Sequence, residues 1–369
     1  MSLSTRPRAR CRPLDDRGRR CKAAAHCGCA VTRARANVLV TAASRRVALV
    51  QAFQRALLDR PHGGTVVVTD VNPLSPAVYA ADRAYRVPLS SDPEYIDSIL
   101  QIAVGENVGL VVPTIDDELA LFGDASDRFT DHGIHVAVSA ARTSELCADK
   151  YQTCRFLASK GVPAAESWLP HEVSADVAFP LFVKPRRGRG GVGAHQVRDR
   201  RELDFFTSYV EDPVVQRYLS GPEFTIDVLC DFVGQPLSIV PRRRDVVRAG
   251  VIDRGRTVND PSLIALAKAC VTEIPFVGAI NIQCRMLGEQ AAVFEINPRF
   301  SGGIPLTIAA GADFPRMLLD LAAGVALPPS IGAFRDGLWM TSYESSMFLH
   351  DSRVCLPAYD SRVTPGEVA

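Results

Sequence analysis

The sequence predicts a chain built in two styles, an open parallel α/β domain followed by an α+β region rich in antiparallel hairpins. Three observations carry this expectation. Buried strands and amphipathic helices alternate over about 110 residues from Asn37, the pattern of βαβ units and a parallel sheet. After Ser144 the texture changes to pairs of strands joined by short turns. A glycine-rich stretch, FVKPRRGRGGVG (182–193), is followed by a strand and not by a helix.

The elements follow in order. NVLVTAASRRVALVQAFQRALLD is a buried strand, a tight loop and an amphipathic helix. TVVVTD (65–70) is a second strand ending in an acid, and RAYRVP (83–88) a short third. DPEYIDSILQIAVGENV (92–108) predicts a helix capped at Asp92 with Pro93 in its first position. GLVVPTIDDELALF (109–122) is a strand running into a loop and a helix, and IHVAVS (134–139) a further strand. SELCADKYQTCRFLASKGVP predicts one capped helix ending at Gly161. A strand (179–185), the glycine loop, HQVR (195–198) and a helix (200–210) come next, then the extended VVQRYL (214–219). EFTIDVLCDFVGQPLSIVP folds as two strands around Val-Gly-Gln-Pro, PSLIALAKACVTEI as a helix, and AINIQCRMLGEQAAVFEINPRF as two strands around Leu-Gly-Glu-Gln. DFPRMLLDLAAGV is a closing helix, and GLWMTSYESSMFL a last strand.

With 369 residues there is room for two or three compact modules. The 47% hydrophobic and 22% charged composition is that of a globular chain, and no apolar run approaches the ~20 residues of a membrane helix. The net charge of +1 hides an asymmetry: residues 1–36 hold ten Arg and Lys against Asp15 and Asp16, so the remainder is near −7. The body is therefore not a nucleic-acid binder; only the tail could take that part. Cys11, Cys21, Cys27, Cys29 and His26 in the tail match no standard zinc spacing, and the tail has no apolar signal core. It reads as a disordered extension, or a start assigned too far upstream. The scattered cysteines 147, 154, 230, 270, 284 and 355 read as reduced core residues of a cytoplasmic protein.

The glycine loop contains a formal G-x-G-x-x-G at Gly188, Gly190 and Gly193. A dinucleotide loop opens straight into a helix that holds the pyrophosphate. This one joins two strands, so it is a hairpin able to fold over phosphates and offer backbone N–H groups. The first turn, TAASRR, has no glycine for a pyrophosphate either. Lys184 ends the strand before the hairpin and can point a charge at phosphate oxygens. Downstream, Glu295 and Asn297 lie two apart on a strand and share a face, and Gln283 on the hairpin partner can sit opposite them. Three oxygen ligands from two strands suit Mg²⁺. Asp70, and Asp116, Asp117 and Glu118, stand at carboxyl ends of parallel strands, where such sheets bind ligands. They read equally as a solvated turn acid and as dipole partners of a helix start. Arg242, Arg243, Arg244 and Arg248 are a grip for a substrate carboxylate or, more plainly, a solvated basic edge.

The ordered set DKYQT, PLFVKPRRGRGGVG, VVQRYLSGPEFTID, GAINIQC and FEINPRFSGG resembles the ATP-grasp superfamily, and within it proteins similar to the carbamoyl-phosphate synthase large subunit. The likeness runs from about Asn37 to Val325. It implies a basic tail (1–36), a pre-ATP-grasp domain (37–143), a small lid subdomain (144–212), a C-terminal subdomain with the metal site (213–330) and an extension (331–369). By position, Lys150 and Lys184 would bind the α- and β-phosphates, and Arg187, Gly188, Arg189, Gly190, Gly191, Val192 and Gly193 would close over the β- and γ-phosphates. Gln216 and the backbone near Tyr218 would meet adenine, and Glu223 the ribose. Gln283, Glu295 and Asn297 would hold Mg²⁺ or Mn²⁺. Arg299 would steady the transferred phosphoryl group, making it and Lys184 the catalytic candidates. Asp116, Glu118 and Arg248 are the substrate candidates.

The resemblance implies an ATP-dependent, ADP-forming ligase that joins a small carboxylic acid to an amine or thiol through an acyl phosphate. Phosphorylation of bicarbonate or carbamate, and a non-catalytic nucleotide sensor, are the rival expectations. No membrane partner is expected, and residues 335–369 either add a strand or make a homodimer contact.

Overall fold

A computed structural model of the chain describes residues 37–351 and 354, apart from 62, 189 and 249. The basic tail, its cysteines, Arg189 and Cys355 lie outside the described residues. Three sheets organise the rest.

The first sheet is parallel, in the order β3-β2-β1-β4-β5. Its strands are β1 (Asn37–Val40), β2 (Val66–Asp70), β3 (Arg83–Arg86), β4 (Val108–Val112) and β5 (His135–Val136). The runs VLV, VVV and LVV are apolar at every position because helices cover both faces. Helix α1 (Val47–Leu58) and the short α2 (Pro76–Ala80) follow β1 and β2; α3 (Tyr95–Gly105) and α4 (Asp116–Thr130) flank β4. Phe53 and Leu57 of α1 pack one core, Ile99, Ile102, Phe122 and Phe129 the other.

Two expected boundaries move. Helix α3 starts at Tyr95, because the Asp92 carboxylate takes the Glu94 N–H (2.9 Å) in a turn before the helix and does not cap it. Strand β5 stops at Val136, since the chain is drawn off toward the next sheet, where Ser139 Oγ accepts the Val277 N–H at 3.0 Å.

The helix expected from Ser144 to Gly161 is two helices, α5 (Ala141–Ala148) and α6 (Lys150–Ser159). Asp149 between them is extended and caps α6, its carboxylate accepting the Gln152 N–H, while Ser144 is buried inside α5. A second, four-stranded sheet follows in the order β6-β9-β7-β8: β6 (Ser167–Trp168), β7 (Leu181–Pro185), β8 (His195–Val197) and β9 (Pro213–Arg217). Helix α7 (Arg200–Tyr209) packs Leu203 against Leu181, Val183 and Val197. The sheet thus runs past the expected boundary at residue 212 as far as Arg217.

The largest sheet has the order β14-β13-β10-β11-β12-β15, all antiparallel. It contains β10 (Glu223–Cys230), β11 (Pro236–Arg248), β12 (Val251–Thr257), β13 (Gly278–Leu287), β14 (Gln290–Asn297) and β15 (Trp339–Thr341). Helices α5 and α6 and α8 (Pro261–Glu273) cover one face. The chain closes through α9 (Ile304–Ala309) and α10 (Phe314–Ala322), whose Phe314 and Leu318 pack on the α1 core. The last expected strand is only three residues long, at the edge beside β12; beyond it Tyr343 and Phe348 are exposed. Among the described residues no helix is long and apolar enough to cross a membrane. The described cysteines 147, 154, 230, 270 and 284 are buried and unpaired.

Candidate active site

The small sheet and the large sheet face each other across a cavity of about 530 Å³. Its walls include Lys150, Lys184, Gly188, Gly190, Gly191, Val192, Gln216, Tyr218, Glu223, Gln283 and Glu295, most of the residues singled out from sequence. Local chemistry places them. Asp149 caps α6 and holds Arg186 in a bidentate pair at 2.6–3.0 Å. The Lys150 amide donates to the Arg186 carbonyl (3.1 Å), and its Nζ donates to the Gly188 carbonyl (2.7 Å). The start of α6 therefore anchors the base of the glycine hairpin.

Gly188, Gly190, Gly191 and Gly193 all have positive φ, the left-handed region that favours glycine. Gly193 packs on Pro185 outside the cavity, and Arg187 lies 3.9 Å from Asp149 instead of lining it. Across the mouth the hairpin meets the β11–β12 turn, where Gly250 abuts the Gly190 backbone.

Lys184 is buried, with Nζ 3.4 Å from the Phe294 carbonyl and 5.0 Å from the centre of the Phe294 ring. Burial pushes its ammonium down to about 8, against the opposing pull of Glu295. Gln216 is buried, its amide donating to Ser167 Oγ (3.0 Å) and Cys154 Sγ (3.3 Å). Glu223 reaches the cavity with both oxygens already engaged, one by Arg244 and the other by Arg285.

The β13–β14 register sets Gln283 opposite Glu295 and Asn281 opposite Asn297. Nothing among the described residues donates to the Glu295 carboxylate. The Gln283 carbonyl accepts from Arg244 (3.3 Å) and the Asn297 carbonyl from Arg299 (3.2 Å); each amide oxygen keeps a second lone pair. One free carboxylate and two amide oxygens from adjacent strands fit a hard divalent cation such as Mg²⁺. Among the described residues no cluster of three His, Cys, Asp or Glu side chains offers another metal site.

Gln283 and Glu295 also border a second cavity of about 470 Å³, which shares Gly190, Val192, Arg244 and Gly250 with the first. Its wall carries Arg46, Arg242, Arg244 and Arg299, with Asn281, Asn297 and Ser301. Arg242 is fully buried and doubly bonded to Asp227 (2.7 and 3.0 Å) and to Ser301 Oγ (2.8 Å). Arg242 and Arg244 are thus buried paired cations and not the solvated edge that the plainer reading expected. Arg299 donates to Asp116 at 2.8 Å. Arg242, Arg244 and Arg299 each retain one buried nitrogen without a hydrogen-bond partner among the described residues.

The strand-end acids sort differently from expectation. Asp70 is buried and accepts the Ser44 and Asn72 N–H groups at 2.7 and 2.9 Å, so it ties the β1–α1 turn instead of facing a crevice or solvent. Glu118 is fully buried, bonded to Tyr95 Oη and to the Thr114 and Ile115 amides, and lines neither cavity. Burial pushes its carboxyl upward. Arg248 is exposed, pairs with Glu344 (3.0 Å) and Asp253 (3.7 Å), and lines neither cavity. Asp116 reaches the second cavity only through Arg299.

Sequence reasoning missed Arg46. It lies in the TAASRR turn, where Ala42 and Ser44 take positive φ, and it donates to the carbonyls of Thr114 (2.7 Å) and Phe300 (3.1 Å). Two arginines at the carboxyl end of a parallel strand were the available signal. Asp149 and Arg186 were missed as well, although an aspartate directly before a helix start is a cap signature.

Residues 210–344 match the family model described as ATP-grasp in the biosynthetic pathway with Ter operon, and residues 38–137 match the PylC-like N-terminal domain. The carbamoyl phosphate synthase large chain of Clostridium acetobutylicum is 22% identical over 267 residues, which is 66% of this chain and 24% of that protein. The chain thus spans about a quarter of the length of that curated relative. Among solved structures, a biotin carboxylase from Campylobacter jejuni, in a β,γ-ATP complex, superposes with a TM-score of 0.65 at 14% identity, covering 82% of this chain and 74% of that one. An L-amino acid ligase from Bacillus licheniformis gives 0.63 at 20% identity, covering 81% and 77%. An N5-carboxyaminoimidazole synthetase from Staphylococcus aureus, complexed with ADP, gives 0.62 at 17%, covering 79% and 78%. At these identities the likeness is one of fold.

Proposed function

The chain carries an ATP-grasp domain behind a PylC-like N-terminal domain, and on that premise we propose that it is an ATP-dependent, ADP-forming ligase that activates a small carboxylic acid for attack by an amine or thiol. The observation that carries the reading is the meeting of two cavities at Gln283 and Glu295. One is walled by lysines and a glycine hairpin, the other by arginines.

ATP occupies the first cavity, its phosphates between Lys150, Lys184 and the hairpin N–H groups. The acid occupies the second, with its carboxylate at the junction. A carboxylate oxygen attacks the γ-phosphorus, the bond to the β–γ bridging oxygen breaks, and ADP leaves. The amine then attacks the acyl carbon, loses a proton, and phosphate departs. Glu295, Gln283 and Asn297 would hold Mg²⁺, which supplies charge neutralisation to the phosphate oxygens. Lys184 supports the same charge from a buried position, where water screens it little. Arg299, held by Asp116, faces the acid cavity and orients the carboxylate or the acyl phosphate. The hairpin shields the acyl phosphate from water.

The second cavity supports an organic acid over bicarbonate. Its 470 Å³ is several times what a four-heavy-atom ion needs, roughly 100 Å³ scaled from the ~30 Å³ of one water. The test is ADP release by the protein with Mg-ATP, acids and amines in pools and bicarbonate separately. Acid-dependent ADP supports the ligase; bicarbonate-dependent ADP moves the reading to the carboxyphosphate chemistry; bound ATP without turnover in any pool removes the enzyme reading.

A further inference from the structure

The four guanidinium groups of the second cavity are not equivalent. Arg242 is paired with Asp227, Arg244 with Glu223 and Arg299 with Asp116. Among the described residues Arg46 has no carboxylate within ion-pair distance and is bonded only to the Thr114 and Phe300 carbonyls. The acids closest by sequence and charge are already committed, Asp116 to Arg299 and Glu118 to Tyr95 and two backbone amides. Two of the five guanidinium N–H donors of Arg46 are used, and the side chain, only partly accessible, opens onto the cavity.

Burial, and then the like charge of Arg299, push the Arg46 guanidinium down to about 9, so at neutral pH it is still charged. Asp116 and Glu118 act on it only at longer range, and a confined cation with no carboxylate in direct contact is a site for an anion. The other end of the chemistry is fixed at the junction, where Glu295 is the sole carboxylate of the lining. Apart from Glu295 the lining is Arg46, Arg242, Arg244 and Arg299 with small, apolar and amide residues, so an ammonium group there would meet cations and no second carboxylate of the wall.

We propose that the acid substrate carries a second anionic group, as in a dicarboxylate or a phosphorylated carboxylic acid, and that Arg46 of the N-terminal domain binds this group and sets specificity. The inference rests on the ligase reading for the place of the first carboxylate. The anion at Arg46 is read by charge and by bidentate hydrogen bonding, which carboxylate and phosphate both satisfy.

Isothermal titration of the full chain loaded with Mg-ADP tests it, at constant ionic strength. The probes are dicarboxylates of three to six carbons against their monocarboxylate counterparts, and 3-phosphoglycerate against glycerate. At least one dianion should bind tenfold or more tightly than its matched monoanion. Arg46→Met should reduce that ratio to within about twofold, and Arg46→Lys should restore part of it. Arg46→Gln, which keeps donors for the two carbonyls without the charge, serves if Arg46→Met does not fold, and folding of each variant is checked by near-ultraviolet circular dichroism. Preference for a dicarboxylate or for the phosphorylated acid names the source of the second charge. Equal binding of dianions and monoanions across both series overturns the inference, as does a preference that survives in Arg46→Gln. A dianion that binds through Arg46 yet never elicits ADP release, with amines and thiols supplied, leaves the inference standing and removes the ligase reading. ADP release driven by monocarboxylates alone, unchanged in Arg46→Gln, does the reverse.

Discussion

Replacing Gly250 by alanine should weaken ATP binding, whereas an equally strained glycine-to-alanine change elsewhere should weaken only the fold. Gly250 sits at φ +75° in the β11–β12 turn, and a Cβ there would lie 2.8 Å from Gly190 Cα, 2.9 Å from its carbonyl carbon and 3.0 Å from its oxygen. Carbon atoms in comfortable contact are about 3.5–4.0 Å apart, so the glycine hairpin must retreat by roughly 1 Å. The left-handed backbone adds about 1–2 kcal/mol for any L side chain. Gly288, at φ +64° in the β13–β14 turn with nothing within 4 Å of its would-be Cβ, supplies the control. Gly288→Ala carries the same backbone strain and touches nothing. Both variants should therefore lose about 1–2 kcal/mol of unfolding free energy in urea titrations from the backbone alone. Only Gly250→Ala moves the hairpin away from the phosphates. Loss of one hydrogen bond to a charged oxygen is worth about 1.5–3 kcal/mol, or roughly 10- to 100-fold in Kd for ATP. Calorimetric titration with Mg-ATP reads this directly. Equal ATP affinity in Gly250→Ala, Gly288→Ala and the parent would refute the closure of the hairpin over the nucleotide.

Three other perturbations follow from the site. Lys184→Met should abolish measurable ATP binding while stabilising the nucleotide-free protein at neutral pH, since burial holds the ammonium near 8 against an ordinary 10.5. The folded chain then binds fewer protons than the unfolded one between pH 8 and 10.5, so the parent alone should gain up to about 3 kcal/mol as pH rises through that window; parallel denaturation curves of parent and variant would contradict this. Asp116→Asn leaves Arg299 beside Arg46 without its counter-ion, and should lower kcat by about 10- to 100-fold with little change in KM for ATP, because Arg299 lines the second cavity and not the first; a change confined to KM for ATP would place Arg299 on the nucleotide. Gly303→Ala puts a Cβ 2.2 Å from Arg242 Nη1 and should destabilise the fold by about 2 kcal/mol or more, read as a fall in Tm; an unshifted Tm would mean that the Arg242–Asp227 pair is loosely held.

The parallel sheet was legible because its strands are short apolar runs between amphipathic helices, a pattern that burial on both faces imposes. The Gln283–Glu295 pairing was legible only in part: the period of two puts Glu295 and Asn297 on one face, but the turn that sets Leu287 opposite Gln290 would carry Gln283 to Phe294, and a bulge beside Cys284 brings Glu295 across instead. The strand-end acids were not legible. Whether Glu118 looks outward or back at its own helix depends on Tyr95 and on the Thr114 amide, which spacing does not locate. Arg46 was invisible as a site residue because its partners, Thr114 and Phe300, come from β4's following loop and from the segment after β14, 68 and 254 residues away. The break at Asp149 was hidden by a different circumstance. Its sequence surroundings are helical throughout, and the Arg186 pair that holds it extended is contributed by the glycine hairpin.

Acid-dependent ADP release by the parent and by Glu295→Gln tests the central claim most directly. Glutamine keeps the size of the side chain and removes the one carboxylate shared by the two cavities, to which no described residue donates a hydrogen bond. The parent should release ADP only when a suitable acid is present, and Glu295→Gln should lose at least about a hundredfold of that rate while still folding, the scale on which a single electrostatic contributor to phosphoryl transfer acts. A variant within a few-fold of the parent, or ADP release indifferent to every acid, would contradict a ligase centred on Gln283 and Glu295.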